Sequence, residues 1–201
     1  MDVFAERDTA SGMALDARVG GSPFNVAFGL ARLGQRAAFF GAVSRDFMGE
    51  RLMRALRDEG VDTGAVARVH APTTLGLVGT DAQGVPSYAF YGDGGADRQL
   101  TTDALATLPA QVAALHLGSF TAVVEPVAST LRTLVEQRRS HCLVSYDPNV
   151  RLNVEPDVAR WQDMLQWMLA RAHLVKISDE DLALLMPGVG PRAFCDLAVA
   201  Q

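Results

Sequence analysis

The sequence predicts an α/β fold with a mostly parallel sheet flanked by helices. From residue 22 onward helical and strand patterns alternate, which is typical of a parallel sheet whose strands are connected by helices. Residues 71–92 interrupt the alternation with two β-rich runs around the turn residues Asp81-Ala82-Gln83-Gly84, which predicts an antiparallel hairpin. Such a hairpin is hard to place within a parallel sheet, so we expect it to form a flap or a small second sheet.

The first predicted helix covers about residues 22 to 33. Pro23 falls in its first turn and Gly34 follows its last turn, which are the positions that these residue types favour. The helical period places one apolar stripe on it, formed by Val26, Leu30 and Leu33. We expect that stripe to face the core.

Two further elements are predicted before the hairpin. The continuous apolar run AAFFGAV (37–43) is typical of a strand that is buried on both faces. A second helix begins near Phe47, carries Leu52 and Leu56 and ends at Gly60.

The alternation resumes after the hairpin. The predicted strands are 113–119, 142–148 and 173–178, and the predicted helices are 124–138 and 156–171. Ser178 is a favourable N-cap for another helix with an acidic first turn, and Pro191 begins a last one. This last helix has no following strand, and MDVF resembles the end of a strand. We therefore expect the chain to be an internal fragment of a longer α/β protein.

The composition is that of an ordinary globular protein. Of the 201 residues 49% are apolar and 20% are charged, and the net charge is −5. The basic residues are scattered, which argues against a nucleic-acid or anionic membrane surface and favours a small ligand. The acidic N-terminus does not resemble a signal peptide, and no apolar run reaches the length of about 18 to 20 residues that spans a bilayer. We expect a cytoplasmic protein.

Several common sites are disfavoured. Cys142 and Cys195 lie far apart without CxxC spacing, so we expect isolated thiols in the core. Lys176 is the only lysine and lacks the preceding glycines of a Walker loop. Residues 188–193 match GxGxxA but follow a helix rather than a strand, which disfavours a dinucleotide site. The histidines have no metal-binding spacing, and they are His70, His116, His141 and His173.

Polar residues follow the predicted strands, where open α/β sheets bind ligands. They are Asp2, 44–46, 118–119, 147–151 and 176–181. Arg151 can grip a phosphate or carboxylate beside Asp147 and Asn149, although Asp-Pro-Asn is also favourable in a simple turn. The acidic residues 179–181 could offer oxygen ligands to magnesium, or they could only complement the helix dipole.

Taken together, these residues resemble the ribokinase/fructokinase family of sugar kinases, also called the PfkB family. The most specific stretches are GGSPFNVAFGLARLG (20–34) followed by FFGAVSRDFMG (39–49), then SYDPNVR (145–151) and VKISDEDL (175–182). The resemblance implies a ribokinase-like fold with a small β lid. The chain would then be a partial kinase domain over residues 1–201, with lid segments at about 3–19 and 71–98 inserted in the α/β core.

The resemblance also implies the site residues. Those that would contact sugar hydroxyls are Asp2, Gly20, Gly21 and Asn25. Those on the phosphate and nucleotide side would be Asp147, Asn149, Arg151, Lys176 and Ser178. Asp181 occupies the acidic position of the family's N-x-x-E motif, which here reads S-x-x-D, so a link to Mg²⁺ would run through water. The implied cofactors are ATP and Mg²⁺.

The family's Gly-Ala-Gly-Asp loop, which supplies the catalytic base and the anion hole, is absent from the sequence. We expect it beyond Gln201, so no catalytic residue is assigned here and the chain alone should lack substantial kinase activity.

The predicted function is that of an ATP-dependent sugar kinase, similar to fructokinase or ketodeoxygluconate kinase, acting on a small-molecule sugar. A homodimer through the lid is a further expectation. Tyr88, Phe90 and Tyr91 alternate on the hairpin, and such a face suits a cover for the substrate, a dimer contact or simply part of the core. The main alternative is a catalytically dead module that binds sugar or dimerises. A nucleotide-dependent oxidoreductase is a weaker alternative, because no strand is followed by GxGxxG.

Overall fold

The computed structural model describes residues 1–80 and 86–200, apart from the side chains of Thr80 and of residues 86–88. It divides the chain into two compact units, Met1–Leu100 and Thr101–Gln201. The predicted turn Asp81-Ala82-Gln83-Gly84 and the side chain of Tyr88 lie outside the described residues.

The first unit contains six strands and two α-helices among its described residues. In chain order they are β1 (Asp2–Thr9), β2 (Gly12–Arg18), α1 (Ser22–Arg32), β3 (Gly41–Ser44), α2 (Phe47–Asp58), β4 (Val66–Val69), β5 (Leu75–Thr80) and β6 (Pro86–Tyr91). A short 3₁₀ helix follows at Ala96–Arg98.

Four of these strands form one mixed sheet in the order β2-β1-β5-β6. The pairs β1–β2 and β5–β6 are antiparallel hairpins, and β1 joins them by pairing with β5 in parallel. The predicted hairpin at 71–92 is therefore confirmed over its described residues, and it belongs to a sheet separate from the parallel pair β3–β4.

The core of the first unit lies between α1, α2 and the strands beside them. Its buried residues are Met1, Phe24, Ala27, Ala37, Val43, Leu52, Met53, Leu56 and Val61. Phe24 is central to this cluster, because its ring lies 4.5 Å from the ring of Phe39 and 6.0 Å from that of Phe28 between centroids.

The predicted stripe of α1 was wrong. Leu30 is 41% exposed and Leu33 is 77% exposed, whereas Phe24 and Ala27 are buried. The helix is apolar on more than one side, and turning the aromatic side inward buries the larger surface. The predicted strand 37–43 is shorter than expected, since only Gly41–Ser44 is regular. Its partner β4 had not been predicted.

The second unit is a three-stranded parallel sheet with helices. Two 3₁₀ helices, Thr102–Thr107 and Phe120–Ala122, accompany β7 (Ala114–Gly118), α3 (Val127–Arg138), β8 (Leu143–Asp147), α4 (Val158–Leu169), β9 (Leu174–Val175), α5 (Asp179–Leu185) and α6 (Pro191–Val199). The strand order β7-β8-β9 follows the chain. These elements confirm the predicted alternation, although β9 is shorter than the predicted 173–178.

Trp161 is the largest fully buried side chain of the second unit. Its indole N–H donates to the carbonyl of Glu155 at 2.9 Å, so the buried polar atom is satisfied. Val144, Tyr146, Met164 and Met168 are likewise completely buried, which places the core between the sheet and its helices. Within the described residues, every helix is either too short or too polar to cross a membrane.

Candidate functional site

The carboxylate of Asp2 lies between two glycines in the first unit. Asp2 lies on β1, an inner strand of the mixed sheet, where it pairs with Arg18 of β2 and Gly76 of β5. A side-chain carbon at Gly20 would overlap with Oδ2 of Asp2, and one at Gly76 would lie 3.4 Å from Oδ1. The absence of a side chain at Gly20 therefore gives the carboxylate its position, whereas the carboxylate only packs beside Gly76.

Gly21 and Asn25 form the beginning of α1. Gly21 is the N-cap with φ +114° and makes no side-chain capping bond, and its carbonyl accepts the N–H of Asn25 at 3.0 Å. No described atom would lie within 4 Å of a side-chain carbon at Gly21, apart from its chain neighbours. Because the side chain of Asn25 is exposed, a polyol could approach the Gly21 backbone and meet an amide and a carboxylate.

Asp46 holds α2 in place rather than facing a ligand. As N-cap of α2 it accepts the N–H of Gly49 at 2.7 Å. It also accepts the backbone N–H of Thr73 at 2.8 Å and the hydroxyl of Thr73 at 2.7 Å. Burial acts to raise the pKa of Asp46, but the bonds from Gly49 and Thr73 outweigh it, so the pKa is lowered.

Asp97 is a half-buried acid that sequence reasoning missed. It accepts the hydroxyl of Thr74 at 2.8 Å, directly before β5. Burial raises the pKa of this carboxyl, and the bond from Thr74 opposes the rise only in part. The signal in the sequence was the glycine-rich stretch around Gly92 and Gly95. In the structure a side-chain carbon at Gly92 would lie 2.7 Å from Cγ2 of Thr74, so the chain packs too closely here for a larger residue.

In the second unit, Asp147 and Lys176 form an ion pair at the carboxyl end of β8. Nζ of Lys176 lies 3.0 Å from Oδ2 of Asp147, and the backbone N–H of Lys176 donates to the carbonyl of Tyr146 at 2.9 Å. Oδ1 of Asp147 is buried and has no hydrogen-bond partner within the described part of the chain. One carboxylate oxygen of Asp147 is thus paired with Lys176, and among the described residues the other, Oδ1, is still available as a hydrogen-bond acceptor.

His116 lies on the neighbouring strand, where its Nδ1 is 3.1 Å from Oγ of Ser145. Desolvation lowers the pKa of His116; Asp147 opposes this and Lys176 adds to it. The buried hydroxyl of Tyr146 also has its pKa raised, first by burial and then by Asp147 and Asp181. Asp147 thus contributes to the electrostatic surroundings of both His116 and Tyr146.

Asn149 and Arg151 lie in a tight loop after β8. Asn149 has φ +41°, and the hydroxyl of Ser119 donates to its carbonyl at 3.3 Å. A side-chain carbon at Gly118 would overlap with the carbonyl of Asp147, so β7 and β8 meet closely here. Nη1 of Arg151 donates to the carbonyl of Val150 at 2.7 Å, which leaves its remaining N–H groups for other partners.

Ser178 and Asp181 are engaged with the chain. Oγ of Ser178 caps α5 by accepting the N–H of Asp181 at 3.1 Å. The Asp181 carboxylate accepts the N–H of Val150 at 3.3 and 3.4 Å, which ties α5 to the loop after β8. Over residues 1–80 and 86–200, no three His, Cys, Asp or Glu side chains converge as metal ligands. One carboxylate fits a Mg²⁺ ion that takes most of its ligands from phosphate and water.

Comparison with known proteins identifies the family. Residues 2–188 match the pfkB family carbohydrate kinase domain. A fructokinase of Rhizobium leguminosarum bv. trifolii is 36% identical over 163 residues, which cover 81% of this chain and 50% of that protein. The chain spans about half the length of the curated relatives that it matches.

Solved structures agree with this assignment. The fructokinase of Xylella fastidiosa with bound ATP superimposes with a TM-score of 0.84 at 25% identity, over 99% of this chain and 64% of that one. The fructokinase of Vibrio cholerae O395 in the form with fructose, ADP and calcium bound has a TM-score of 0.79 at 28% identity, over 99% and 64%. The predicted ribokinase-like fold is thereby confirmed, and the chain belongs to the pfkB family of carbohydrate kinases.

Proposed function

We propose that the protein is an ATP-dependent sugar kinase and that this chain provides its sugar site. The observation that carries the proposal is the Asp2 carboxylate, which lies against Gly20 and Gly76. With the open backbone at Gly21 and the exposed amide of Asn25, the site combines acceptors, donors and space for a ring of hydroxyl groups.

D-Fructose is the sugar that we propose first. The similar proteins from Rhizobium leguminosarum bv. trifolii and Xylella fastidiosa are fructokinases, and the Vibrio cholerae O395 structure contains fructose. A ketodeoxygluconate kinase is the second possibility that the D-P-N-x-R stretch at 147–151 supports.

The phosphate side of the reaction belongs to the second unit in this proposal. Lys176 is oriented by Asp147, and Arg151 retains free donors, so both can bind phosphate oxygens through charge-assisted hydrogen bonds. ATP supplies the transferred phosphoryl group. Ser178 acts through its cap, which positions Asp181, the one carboxylate that we assign to Mg²⁺ through water.

The catalytic base is not assigned, because the sequence contains no Gly-Ala-Gly-Asp stretch. Without a base and an anion hole most of the rate enhancement is lost. We therefore propose that the 201-residue chain binds sugar but does not turn it over.

The test is calorimetric titration of the chain with D-fructose, followed by a coupled assay with ATP. We expect binding that the Asp2→Asn variant weakens at least tenfold, since the amide cannot replace both carboxylate acceptors. Asp58→Asn, which changes the charge equally at an exposed position of α2, should bind as the parent does. Absence of fructose binding would refute the sugar site, and turnover by the chain alone would refute the assignment of an external base.

A dimer through the β lid is a second proposal, and it also fits a module without catalysis. We take the lid as segments 3–19 and 71–98. The face of the mixed sheet opposite the Asp2 side chain carries exposed apolar side chains on its two edge strands, β2 and β6. They are Met13, Leu15 and Tyr91, which are 57%, 54% and 63% exposed. Met13 and Leu15 are alternate residues of the edge strand β2, whereas Tyr91 lies on the other edge strand, β6, so we propose the β2 edge as the contact.

Sedimentation velocity tests the dimer. We expect a concentration-dependent dimer that Leu15→Glu abolishes. Leu33→Glu is the matched control, because Leu33 is also exposed but lies at the end of α1 outside the sheet. A monomer at all concentrations, or equal effects of both substitutions, would contradict the proposal.

A further inference from the structure

The peptide group between Asn149 and Val150 is held at both of its ends. Its carbonyl belongs to Asn149 and accepts the hydroxyl of Ser119 at 3.3 Å. Its N–H belongs to Val150 and donates to the carboxylate of Asp181, whose two oxygens lie at 3.3 and 3.4 Å. Ser119 directly follows β7, and Asp181 lies in the first turn of α5. One peptide group therefore connects the end of a strand to the carboxylate that we assign to Mg²⁺.

Ser119 also binds the two carbonyls that precede this peptide group. Its backbone N–H is shared between the carbonyl of Asp147 at 3.2 Å and that of Pro148 at 3.0 Å. With the hydroxyl bond to Asn149, one residue thus binds three successive carbonyls of the loop after β8. Ser119 is only 4% exposed, so water competes little for these bonds.

The backbone of Ser119 is strained. Its φ of +59° and ψ of −165° lie in a region that glycine occupies readily and other residues rarely adopt. A glycine here could still donate its N–H to the carbonyls of Asp147 and Pro148, and only the hydroxyl bond to Asn149 would be lost. What a serine adds at this strained position is therefore the bond to the peptide group held by Asp181.

Two residues of the proposed phosphate side depend on this peptide group. Asp181 accepts its N–H, and Nη1 of Arg151 donates at 2.7 Å to the carbonyl of Val150, the next one along the chain. A rotation of the peptide group would remove a donor from Asp181 and change the direction in which the backbone enters Arg151. The Ser119 hydroxyl opposes that rotation.

We propose that Ser119 is a positioning residue for the phosphate side of the site. Its hydroxyl holds the peptide group that fixes the Asp181 carboxylate and the backbone of Arg151. The inference rests on the proposed function, because it requires a phosphate ligand at these two residues. In the sequence Ser119 was only one of the polar residues that follow a predicted strand, and the family resemblance gave it no role.

The experiment titrates the 201-residue chain and its variants with ATP in the presence of Mg²⁺. Ser119→Ala removes the hydroxyl and keeps a side-chain carbon at the strained position, whereas Ser119→Gly removes the hydroxyl and the strain together. Both should bind ATP about threefold to tenfold more weakly than the parent, the range that one hydrogen bond gives. Ser119→Gly should nevertheless unfold at a higher temperature than Ser119→Ala.

Thr121→Val is the matched control. The Thr121 hydroxyl also donates to a backbone carbonyl, that of Gly118 at 3.0 Å, but this bond does not involve the loop after β8. The variant should bind ATP as the parent does.

Hydrogen exchange at the Val150 amide reports on the held peptide group without any ligand. This amide should exchange about threefold to tenfold faster in both Ser119 variants, because the bond that opposes its local opening is lost. In Thr121→Val it should exchange at the parent rate.

The outcomes distinguish this inference from the proposed function. Parent-like affinity in Ser119→Ala, an unchanged exchange rate at Val150, or affinities that only follow the stabilities of the two Ser119 variants would overturn the inference while the phosphate side stands. A parent that does not bind ATP overturns the phosphate side and the inference with it.

Discussion

Asp46 and Thr73 are joined by two hydrogen bonds, from the backbone N–H of Thr73 at 2.8 Å and from its hydroxyl at 2.7 Å. The same carboxylate caps α2 through Gly49. One side chain therefore fixes the beginning of a helix to the segment that leads into β5, the strand that carries Gly76 beside Asp2.

Asp46→Ala should destabilise the chain by about 2–3 kcal/mol, because it removes a helix cap and both bonds from Thr73. Asp157 is the matched control, since it caps α4 through a single exposed bond to Ala159. Asp157→Ala should cost about 1 kcal/mol. Urea unfolding measures both values, and equal losses would contradict the double role of Asp46.

Two acids of the first unit, Asp46 and Asp97, should give opposite pH dependences. The pKa of Asp46 is lowered in the folded chain, so its stabilisation is present above the unfolded value of about 3.9 and is lost as the pH falls through the lower folded value. The stability advantage of the parent over Asp46→Asn should therefore decrease below about pH 4. A constant difference between pH 7 and pH 3 in chemical unfolding would be inconsistent with this.

Asp97 should behave in the reverse manner. Burial raises its pKa in the folded chain, so its stabilising effect is present below the unfolded pKa and is lost as the pH rises through the folded one. Asp97→Asn keeps an acceptor for Thr74 and removes the buried charge. We expect this variant to gain stability relative to the parent as the pH rises from 4 to 7. A loss over that interval would show that the charge itself is stabilising.

Gly49 and Gly29 are both helical glycines, and alanine should have opposite effects on them. A side-chain carbon at Gly49 would overlap with the backbone carbonyl of Ser44, whereas none of the described neighbours lies within 4 Å at Gly29. Gly49→Ala should destabilise the chain by about 1–3 kcal/mol. Gly29→Ala should stabilise it by about 0.5–1 kcal/mol, through helix propensity. Thermal unfolding distinguishes the two signs.

Gly20→Ala should impair ligand binding more than stability. The colliding atom is the end of the Asp2 side chain, which can rotate away at small cost to folding but then leaves its place beside Gly76. We expect a fructose affinity at least tenfold weaker with less than about 1 kcal/mol lost in stability. Gly79→Ala, in the open part of β5, is the control and should alter neither quantity by much. Unaltered binding by Gly20→Ala would contradict the role given to Asp2.

The elements predicted correctly are those whose signals are local. The N-cap at Ser178, the helix start at Pro191, the hairpin at 71–92 and the alternation after residue 113 all follow from neighbouring residues. The buried side of α1 could not be read in this way, because it depends on Phe39, which lies beyond the helix. β4 was missed because its residues are only partly buried and its sequence, VARV, carries a weak apolar signal.

The roles of the candidate site residues stay predictions, although the structure relates some of these residues to one another. The resemblance named Asp2 and Gly20 together, and the structure brings them into contact. Gly76 and Asp97 were not named, since their importance arises only when β5 lies beside β1. The phosphate side remains a prediction for Asn149, Arg151 and Lys176, whose contacts the structure gives within the chain alone.

The parallel pairing of β1 with β5 also sets an order of assembly. The hairpins β1–β2 and β5–β6 close over short loops, whereas Asp2 and Gly76 are separated by most of the first unit in sequence. Short-range hairpins form in microseconds, and long-range parallel pairing is slower because the loop must first be closed. The pocket around the Asp2 carboxylate should therefore be among the last parts of the first unit to form during refolding. In pulse-labelling hydrogen exchange, the amide of Gly76, which donates to the carbonyl of Met1 at 2.9 Å, should gain protection after the hairpin amides.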